Sequence, residues 1–372
     1  MSVGATRKEF KICHLTSVHR HDDVRIFHKE CSSLAKEGYK VYLVAQGVSC
    51  ESKGVRIVGI GNIPKNHFLR WLFAGRKIFN AAKKIDADIY HFHDPELLPY
   101  GLKLKKAGKK VIFDSHEDVA SQIRGKRWIP RLMRRTVSRL YRCYETYVVK
   151  ELDAVVAATP YIRKQFENRT SRVIAVCNYP MLEEIIYHEN PFSERQMMIC
   201  YAGGISEERG EKVMIEAMKD IDADLVIAGY HDQINIHDGK GITRYVGRLD
   251  RNDVNELYGN ARMGLCLLQE NLNYRNSLPV KMFEYMGAGL PYICSDFPLW
   301  KKITEETGAG LCVNAQDIHA IREGIKYILL NPGEGEKMGR QGRKAIEEKY
   351  NWDKEKEKLI DLYKSLYSIM ET

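Results

Sequence analysis

Short, nearly continuous apolar runs alternate along this chain with longer segments whose apolar positions recur at helical spacing. That alternation predicts buried strands of parallel sheets joined by crossover helices. In the first half, residues 10–16, 40–45, 55–59, 89–92, 109–114, 153–157 and 172–177 read as strands. Helices are expected over 26–36, closed by Gly38, over 68–84, after an Asp94-Pro95 cap and first turn, and from Thr159-Pro160. The second half repeats the scheme. Its strands are expected at 197–201, 241–246, 263–268 and 310–313, and its helices at 209–218, 254–258, 318–330 and 335–349. The last helix carries Leu359, Leu362, Tyr363 and Leu366 at helical spacing, after a break in which Asp353 is a plausible cap.

The phrases IDADIYHFH and IDADLVIAG lead into a strand in each half, which suggests two similar α/β halves. Their Asp-x-Asp pairs precede the strands, at the wrong end of the sheet for catalysis, and read as turn and cap residues. Residues 178–195 contain Pro180 and Pro191 and lack clear periodicity, so the linker is placed there. The resulting division is a Rossmann-like domain over 1–178, a linker over 179–196, a second Rossmann-like domain over 197–350, and a terminal helix over 351–372.

Composition narrows the class. No apolar run is long enough to cross a bilayer, and the N-terminus lacks a charged-then-apolar signal pattern. The nine cysteines are scattered, and several (Cys200, Cys266, Cys294) sit in apolar runs. They read as reduced core residues of a cytoplasmic protein, neither disulfides nor metal ligands. The net charge of +9 hides an asymmetry: residues 1–178 hold 34 Lys+Arg against 17 Asp+Glu (+17), and the remainder holds 24 against 32 (−8). The basic half is expected to face something anionic, phospholipid or nucleic acid. Its densest stretch, 124–142, has eight basic residues and no acid. Ile129, Leu132, Met133, Val137, Leu140 and Tyr141 repeat at helical spacing, with Trp128 near the start, so a basic amphipathic helix is expected. Near an anionic membrane each basic residue contributes about 1 kcal/mol. The alternative is a helix packed on the sheet with a solvated basic face.

Candidate chemistry concentrates in 276–298, NSLPVKMFEYMGAGLPYICSDFP. It reads as a polar loop, a helix from about Pro279 ended by Gly287 and Gly289, and a strand. Lys281 and Glu284 fall on nearly one helix face. A lysine in the first turn suits a phosphate, and a carboxylate one turn on suits a sugar diol. A surface ion pair is the simpler reading of the pattern alone. Gly203 and Gly204 let backbone approach a ligand, and Arg209, at the expected helix start, fits a diphosphate. Residues 17–25, with His19 and His21, form a loop at a strand end but lack the glycines of a dinucleotide fingerprint. His91 and His93 share one strand face. His116 follows a strand end, where a central site is expected.

The stretch 276–298 resembles the donor-nucleotide signature of glycosyltransferase family 4, a family of retaining transferases with the GT-B fold. The resemblance implies two Rossmann-like domains facing across a cleft, with a final helix crossing back onto the first. It implies that Glu284 holds the ribose of a sugar nucleotide; Asn276 stands where the family usually has a second acid. Gly204 and Arg209 match the glycine-rich loop and basic residue that bind donor phosphates, and Ile205 replaces the common first arginine of that loop. Gly247 matches a turn bordering the nucleotide base, and His116 a histidine near the transferred sugar.

The expected activity is transfer of a sugar from a nucleotide-sugar, a UDP-sugar, to an acceptor hydroxyl, with Arg209, Lys281 and helix N-termini stabilising the departing diphosphate in place of a metal. No cofactor and no metal are expected. A lipid-linked saccharide acceptor at the inner membrane face would place the protein in capsule or O-antigen assembly. Two rivals are a sugar-nucleotide epimerase or hydrolase of the same fold and a nucleic-acid binder using the basic half. The chain has no recognised nucleic-acid motif.

Overall fold

The apolar runs build two sheets, each within its own unit of the chain. The structure is a computed structural model and describes residues 10–61, 67–126, 128–230, 234–237, 241–271 and 274–371. Met1–Cys177 with Glu355–Thr372 form one unit, and Asn178–Lys354 the other. Among the described residues no helix is long and apolar enough to cross a membrane.

The first unit has strands β1 (Lys11–Arg20), β2 (Lys40–Gln46), β3 (Cys50–Ser52), β4 (Val55–Gly59), β5 (Ile89–Phe92), β6 (Lys110–Ser115), β7 (Ala154–Ala157) and β8 (Val173–Ala175). Their order is β3-β4-β2-β1-β5-β6-β7-β8. All pairs are parallel except β3 with β4. The central strands are buried on both faces, which is why they read as unbroken apolar runs. Phe92 and Phe113 stack with centroids 4.9 Å apart in the core beneath β5 and β6.

Several local expectations change. β1 runs on to Arg20, so half of the expected 17–25 loop is strand. The next segment is not a plain α-helix: Val24–Cys31 is a wide turn in which His28 N reaches back five residues to Asp23 O, followed by Ser32–Lys36. Asp94 stands at the start of the short helical turn Pro95–Leu97, but its side chain does not cap that turn. Its Oδ2 accepts from Thr16 Oγ1 at 2.8 Å and Ser17 N at 2.6 Å, tying β1 to the end of β5. The Asp-x-Asp residues pin neighbouring strand starts: Asp88 accepts from Lys11 N, and Asp224 from Ile242 N. Asn351, not Asp353, caps the final helix, accepting from Lys354 N at 3.1 Å.

The basic stretch is broken. One helix ends at Gly125, and the next runs Arg134–Glu151. Between them Pro130 lacks an N–H and disfavours helical geometry at Ile129. Ile129 is buried, and its carbonyl accepts from Arg134 Nε at 2.8 Å. Arg127 of this stretch lies outside the described residues. The stretch also has a counterion from outside it, since Arg142 donates to Asp118 at 2.8 Å.

The second unit has β9 (Met198–Ala202), β10 (Asp224–Ala228), β11 (Ile234–His237), β12 (Ile242–Gly247), β13 (Met263–Cys266), β14 (Tyr292–Ser295) and β15 (Gly310–Val313), in the order β11-β12-β10-β9-β13-β14-β15. Only β11, on the edge, is antiparallel. Residues 178–195 do not hang free: Tyr179 packs edge-on against Phe283, and Phe192 is buried against Gly335. Tyr187 fills the space beside Gly289, where an added Cβ would lie 2.4 Å from the ring.

The first unit depends on a buried charge pair. Arg25 grips Asp114 through Nε and Nη2, each at 3.0 Å, and gives Nη1 to Val176 O at 2.8 Å. Asp114→Ala would take both of these carboxylate bonds from a buried guanidinium, leaving it Val176 O and the Glu30 oxygen 3.1 Å away, and about 3–5 kcal/mol of unfolding free energy should be lost in a urea titration.

Candidate functional site

Strands β9, β10 and β12 of the second unit end side by side in glycine turns. Gly203 follows β9, Gly229 follows β10, and Gly247 closes β12. The turns are laced together by Gly203 N to Ala228 O (2.9 Å) and Gly229 N to Gly247 O (2.8 Å). A Cβ on Gly229 would lie 2.2 Å from Gly203 O, so only glycine permits this approach. Above the turns opens a cavity of about 480 Å³, lined by Gly203, Gly204, Gly229, the 248–251 loop, Tyr258 and Glu284. That volume and its place at the carboxyl ends of a parallel sheet suit a small-molecule ligand.

Glu284 sits on the helix Val280–Gly287 and reaches the cavity. Arg251 donates to its Oε1 at 2.7 Å, and Tyr258 OH to its Oε2 at 3.2 Å. Arg251 opens the next helix, Arg251–Asn260, capped by Asp250, which accepts from Asp253 N at 2.9 Å. The carboxylate is therefore held in one orientation by two side chains that the sequence did not single out. The available signal was Asp250-Arg251 at a helix start just after a strand.

Lys281 lies deeper and is only 8% exposed. Its Nζ stands 3.8 Å from the centre of the Tyr201 ring, a cation–π contact. The Gly203 turn passes directly against it, since an added Cβ there would be 3.0 Å from Nζ. Arg209 flanks the other glycine, with Nε 3.3 Å from where a Gly204 Cβ would stand. Tyr201 OH donates to Gly204 O at 2.6 Å and fixes the turn between the two cations. Burial, with help from the Arg209 charge, lowers the Lys281 ammonium to a pKa of about 8, while Glu284 acts in the opposite sense.

Arg209 is not at a helix start. It ends a tight turn, Glu207–Arg209, and the helix begins at Glu211. Gly210 between them is left-handed (φ 89°), and a Cβ on it would lie 2.1 Å from Leu267 O. Thus Gly203, Gly204, Arg209, Lys281 and Glu284 are gathered at one place. Gly247 is buried beneath the rim, and its neighbours 248–251 line the cavity instead. Asn276 is half-buried and does not line it.

His116 belongs to the first unit, just past β6. Its Nε2 lies 3.1 Å from Asp114 Oδ2, and its side chain is 20% exposed. Behind it runs a buried chain of polar contacts. His93 Nδ1 lies 3.1 Å from Asp114 Oδ2, and His93 Nε2 lies 2.9 Å from His14 Nδ1. Tyr363 OH, from the last helix, lies 3.1 Å from His14 Nε2 and 2.8 Å from His91 Nδ1. His91 and His93 do share a face, but beneath the surface, and their stacked rings are 4.8 Å apart. Burial pushes His14, His91 and His93 below the usual imidazole range, so each is neutral near pH 7. His19 is half-buried and bonded to Asp23 at 3.1 Å rather than freely solvated.

Comparison with known proteins gives a consistent placement. A family model described as "Glycosyl transferases group 1" matches residues 183–345, and one described as "Glycosyltransferase Family 4" matches residues 24–179. No curated protein matches the sequence. Similar solved structures include sucrose-phosphate synthase from Thermosynechococcus elongatus, at 16% identity and a TM-score of 0.74, with 97% of this chain and 100% of that one covered. Anabaena HepE in complex with UDP aligns at 9% identity and 0.71, covering 96% and 100%. WaaG, a glycosyltransferase involved in lipopolysaccharide biosynthesis, aligns at 12% and 0.68, covering 94% and 99%. At these identities the structural likeness speaks for the fold, and the two family matches together span most of the chain. The protein belongs to glycosyltransferase family 4 and is a transferase of the GT-B fold.

Proposed function

We propose that the protein transfers a hexose-type sugar from a UDP-sugar to an acceptor hydroxyl with retention of anomeric configuration. The observation that carries this reading is the pair of cations, Lys281 and Arg209, set on either side of the Gly203-Gly204 turn beside a pre-oriented carboxylate, Glu284. A diphosphate laid on that turn would meet two positive charges and exposed backbone. Glu284, with lone pairs left after binding Arg251 and Tyr258, would accept from the ribose diol. Gly247 would shape the turn under the base, and Asn276 would contact the donor from the loop before the helix. His116 would contact the transferred sugar. The hard step is loss of the diphosphate as positive charge grows at the anomeric carbon. The two cations act where negative charge develops, in a site that is largely dry around Lys281. No metal is assigned to this step. Retention suits a departing phosphate that takes the acceptor proton on the same face. The UDP complex of the similar HepE fold supports the choice of nucleotide.

We further propose a lipid-linked saccharide acceptor in cell-envelope polysaccharide assembly, capsule or O-antigen, with the protein cytoplasmic and peripheral on the inner membrane face. The support is an outward surface that is both basic and apolar. Trp128 is 78% exposed and Leu132 95%, and Met133, Leu140, Tyr144 and Tyr147 are also exposed. Exposed Arg131, Arg135 and Arg139 lie among them. Leu140, Tyr144 and Tyr147 recur at helical spacing on the exposed side of Arg134–Glu151, while Ser138, Glu145, Val148 and Val149 are buried. Involvement of the fold-similar WaaG in lipopolysaccharide biosynthesis points the same way.

Three measurements test these readings. UDP at a hundredfold its Kd should stabilise the wild type by about 2.7 kcal/mol in thermal unfolding. The shift should vanish in Glu284→Ala and Arg209→Ala, and no response to any sugar nucleotide would refute the donor site. Turnover of a UDP-sugar without acceptor would instead favour an epimerase or hydrolase. Second, UDP binding should depend on pH through Lys281. The free ammonium titrates near 8, and a bound diphosphate would raise that value. Between about pH 7, where the terminal phosphate of UDP is ionised, and pH 8, calorimetric affinity should therefore change little, and it should fall by up to about tenfold per pH unit above that; Lys281→Met should remove the alkaline slope. Third, the wild type should co-sediment with anionic vesicles at low salt, and Trp128→Ser with Leu132→Ser should weaken this at least about tenfold. Absence of wild-type binding would remove the membrane reading.

A further inference from the structure

We propose that His14, His91, His93 and Glu30 of the first unit form a buried binding site for a divalent transition-metal ion of the zinc type. The site does not depend on the proposed sugar transfer. Topology brings three of the ligands together: His14 on β1 pairs in register with His91 on β5, and His93 lies two residues further along the same face. Glu30 comes down onto that face from the wide turn Val24–Cys31. All four are buried, none more than 2% exposed.

The facing atoms converge. Glu30 Oε2 lies 3.9 Å from His14 Nδ1, 4.0 Å from His91 Nδ1 and 3.9 Å from His93 Nε2. His14 Nδ1 and His93 Nε2 are 2.9 Å apart, and all four atoms fall within 4.8 Å of one another. Ligand atoms around a tetrahedral zinc stand about 3.3–3.5 Å apart, given bonds of about 2.0–2.2 Å. Small side-chain shifts would bring this set to that geometry: the carboxylate moves inward and the two imidazole nitrogens spread. Three imidazoles and a carboxylate are a donor set that suits zinc.

A second observation points to an occupant. Neither oxygen of Glu30 has a hydrogen-bond partner, although the residue is fully buried. Arg25 does not supply one. Its Nε lies 3.1 Å from Glu30 Oε1, but that N–H is given to Asp114 at 3.0 Å. Hydrogen bonds can satisfy the rings in one arrangement: His91 Nδ1–H to Tyr363, Tyr363 O–H to His14 Nε2, His14 Nδ1–H to His93 Nε2, and His93 Nδ1–H to Asp114. That chain still leaves His91 Nε2 and both Glu30 oxygens without hydrogen-bond partners. A buried carboxylate whose one ion-pair partner, Arg25, already gives its N–H to Asp114 is costly to keep without further ligands.

The surroundings also match a metal site one layer out. With Nδ1–H of His93 given to Asp114, its Nε2 lone pair faces the cluster. Tyr363 can take the His14 Nε2–H, which frees His14 Nδ1 in the same way. Hydrogen bonds of this kind orient imidazole ligands and raise their basicity. To bind the ion, His91 would carry its proton on Nε2 and give up the Nδ1 hydrogen bond to Tyr363, so that the Nδ1 lone pair faces the cluster. The ion would clamp β1, β5 and the wide turn together, and it would be structural, since the ligands have no access to solvent. The cysteines, whose spacing predicted no metal, are not involved. Only His91 and His93, two apart on one strand, have a local spacing; nothing in the sequence joins His14 and Glu30 to them.

The test uses untagged full-length protein, produced with zinc in the medium and purified without chelator. Elemental mass spectrometry should find about one zinc ion per chain. Protein produced in cobalt medium should show the strong visible bands of tetrahedral cobalt. Glu30→Gln and His93→Gln should lose the ion while keeping the wild-type circular dichroism. Less than about a tenth of an equivalent of any transition metal in folded wild type, with no cobalt bands, overturns the site and leaves the neutral hydrogen-bond chain as its account. Full metal content in both folded variants overturns it equally. The wild-type measurement decides the question even if a variant fails to fold.

Discussion

The second unit is organised around a lysine kept almost dry. Lys281 gives up most of its hydration, gains the face of Tyr201, and lies within the field of Arg209. Two cations brought near each other in a poorly hydrated place disfavour the empty site and favour one holding an anion. The neighbouring features can be understood from that constraint. Glycine at 203 leaves room for Nζ, glycine at 229 lets two turns touch, and left-handed Gly210 holds Arg209 off the helix and onto the turn. Each is a backbone device that brings charge to a place where no side chain intrudes.

Glu284 shows the complementary strategy. One helical turn from Lys281, it is not paired with that lysine but held by Arg251 and Tyr258. A Lys281–Glu284 ion pair would have neutralised the groups the site needs. Separating them leaves a cationic region at the glycine turn and an oriented acceptor at the cavity wall. This fits a ligand with a diphosphate at one end and a diol nearby, as proposed above.

The first unit is built around polar groups in its core instead. Arg25, Glu30, Asp114 and three histidines lie beneath the surface, joined to β1, β5, β6 and the last helix. Such a network demands satisfied partners, so it specifies one arrangement more strictly than an apolar core would. Tyr363 joins the C-terminal segment to this network. Residues 355–372 therefore belong to the first unit in spite of their distance along the chain.

The sequence by itself determined the two α/β halves, because strands buried on both faces must be continuously apolar and crossover helices must repeat at 3.6 residues. It also marked Gly203, Gly204, Arg209, Lys281 and Glu284, but through their resemblance to a family signature, since the pattern alone reads as simply as a surface ion pair and a common glycine turn. Tertiary structure decided what those residues touch. Whether Lys281 pairs with Glu284 or stacks on Tyr201 depends on β9, some eighty residues away, and no local pattern encodes it. The same holds for Arg251 and Tyr258, and for Asp94, whose Asp-Pro setting reads as a cap while its carboxylate serves β1. The basic stretch was misread as one helix because helical periodicity continued through Pro130, where the backbone could not follow. Of the buried histidine cluster only His91 and His93, two apart on one strand, could be paired from the sequence; His14 and Glu30 join them through strand register and the docking of a turn, which exist only once the chain has folded.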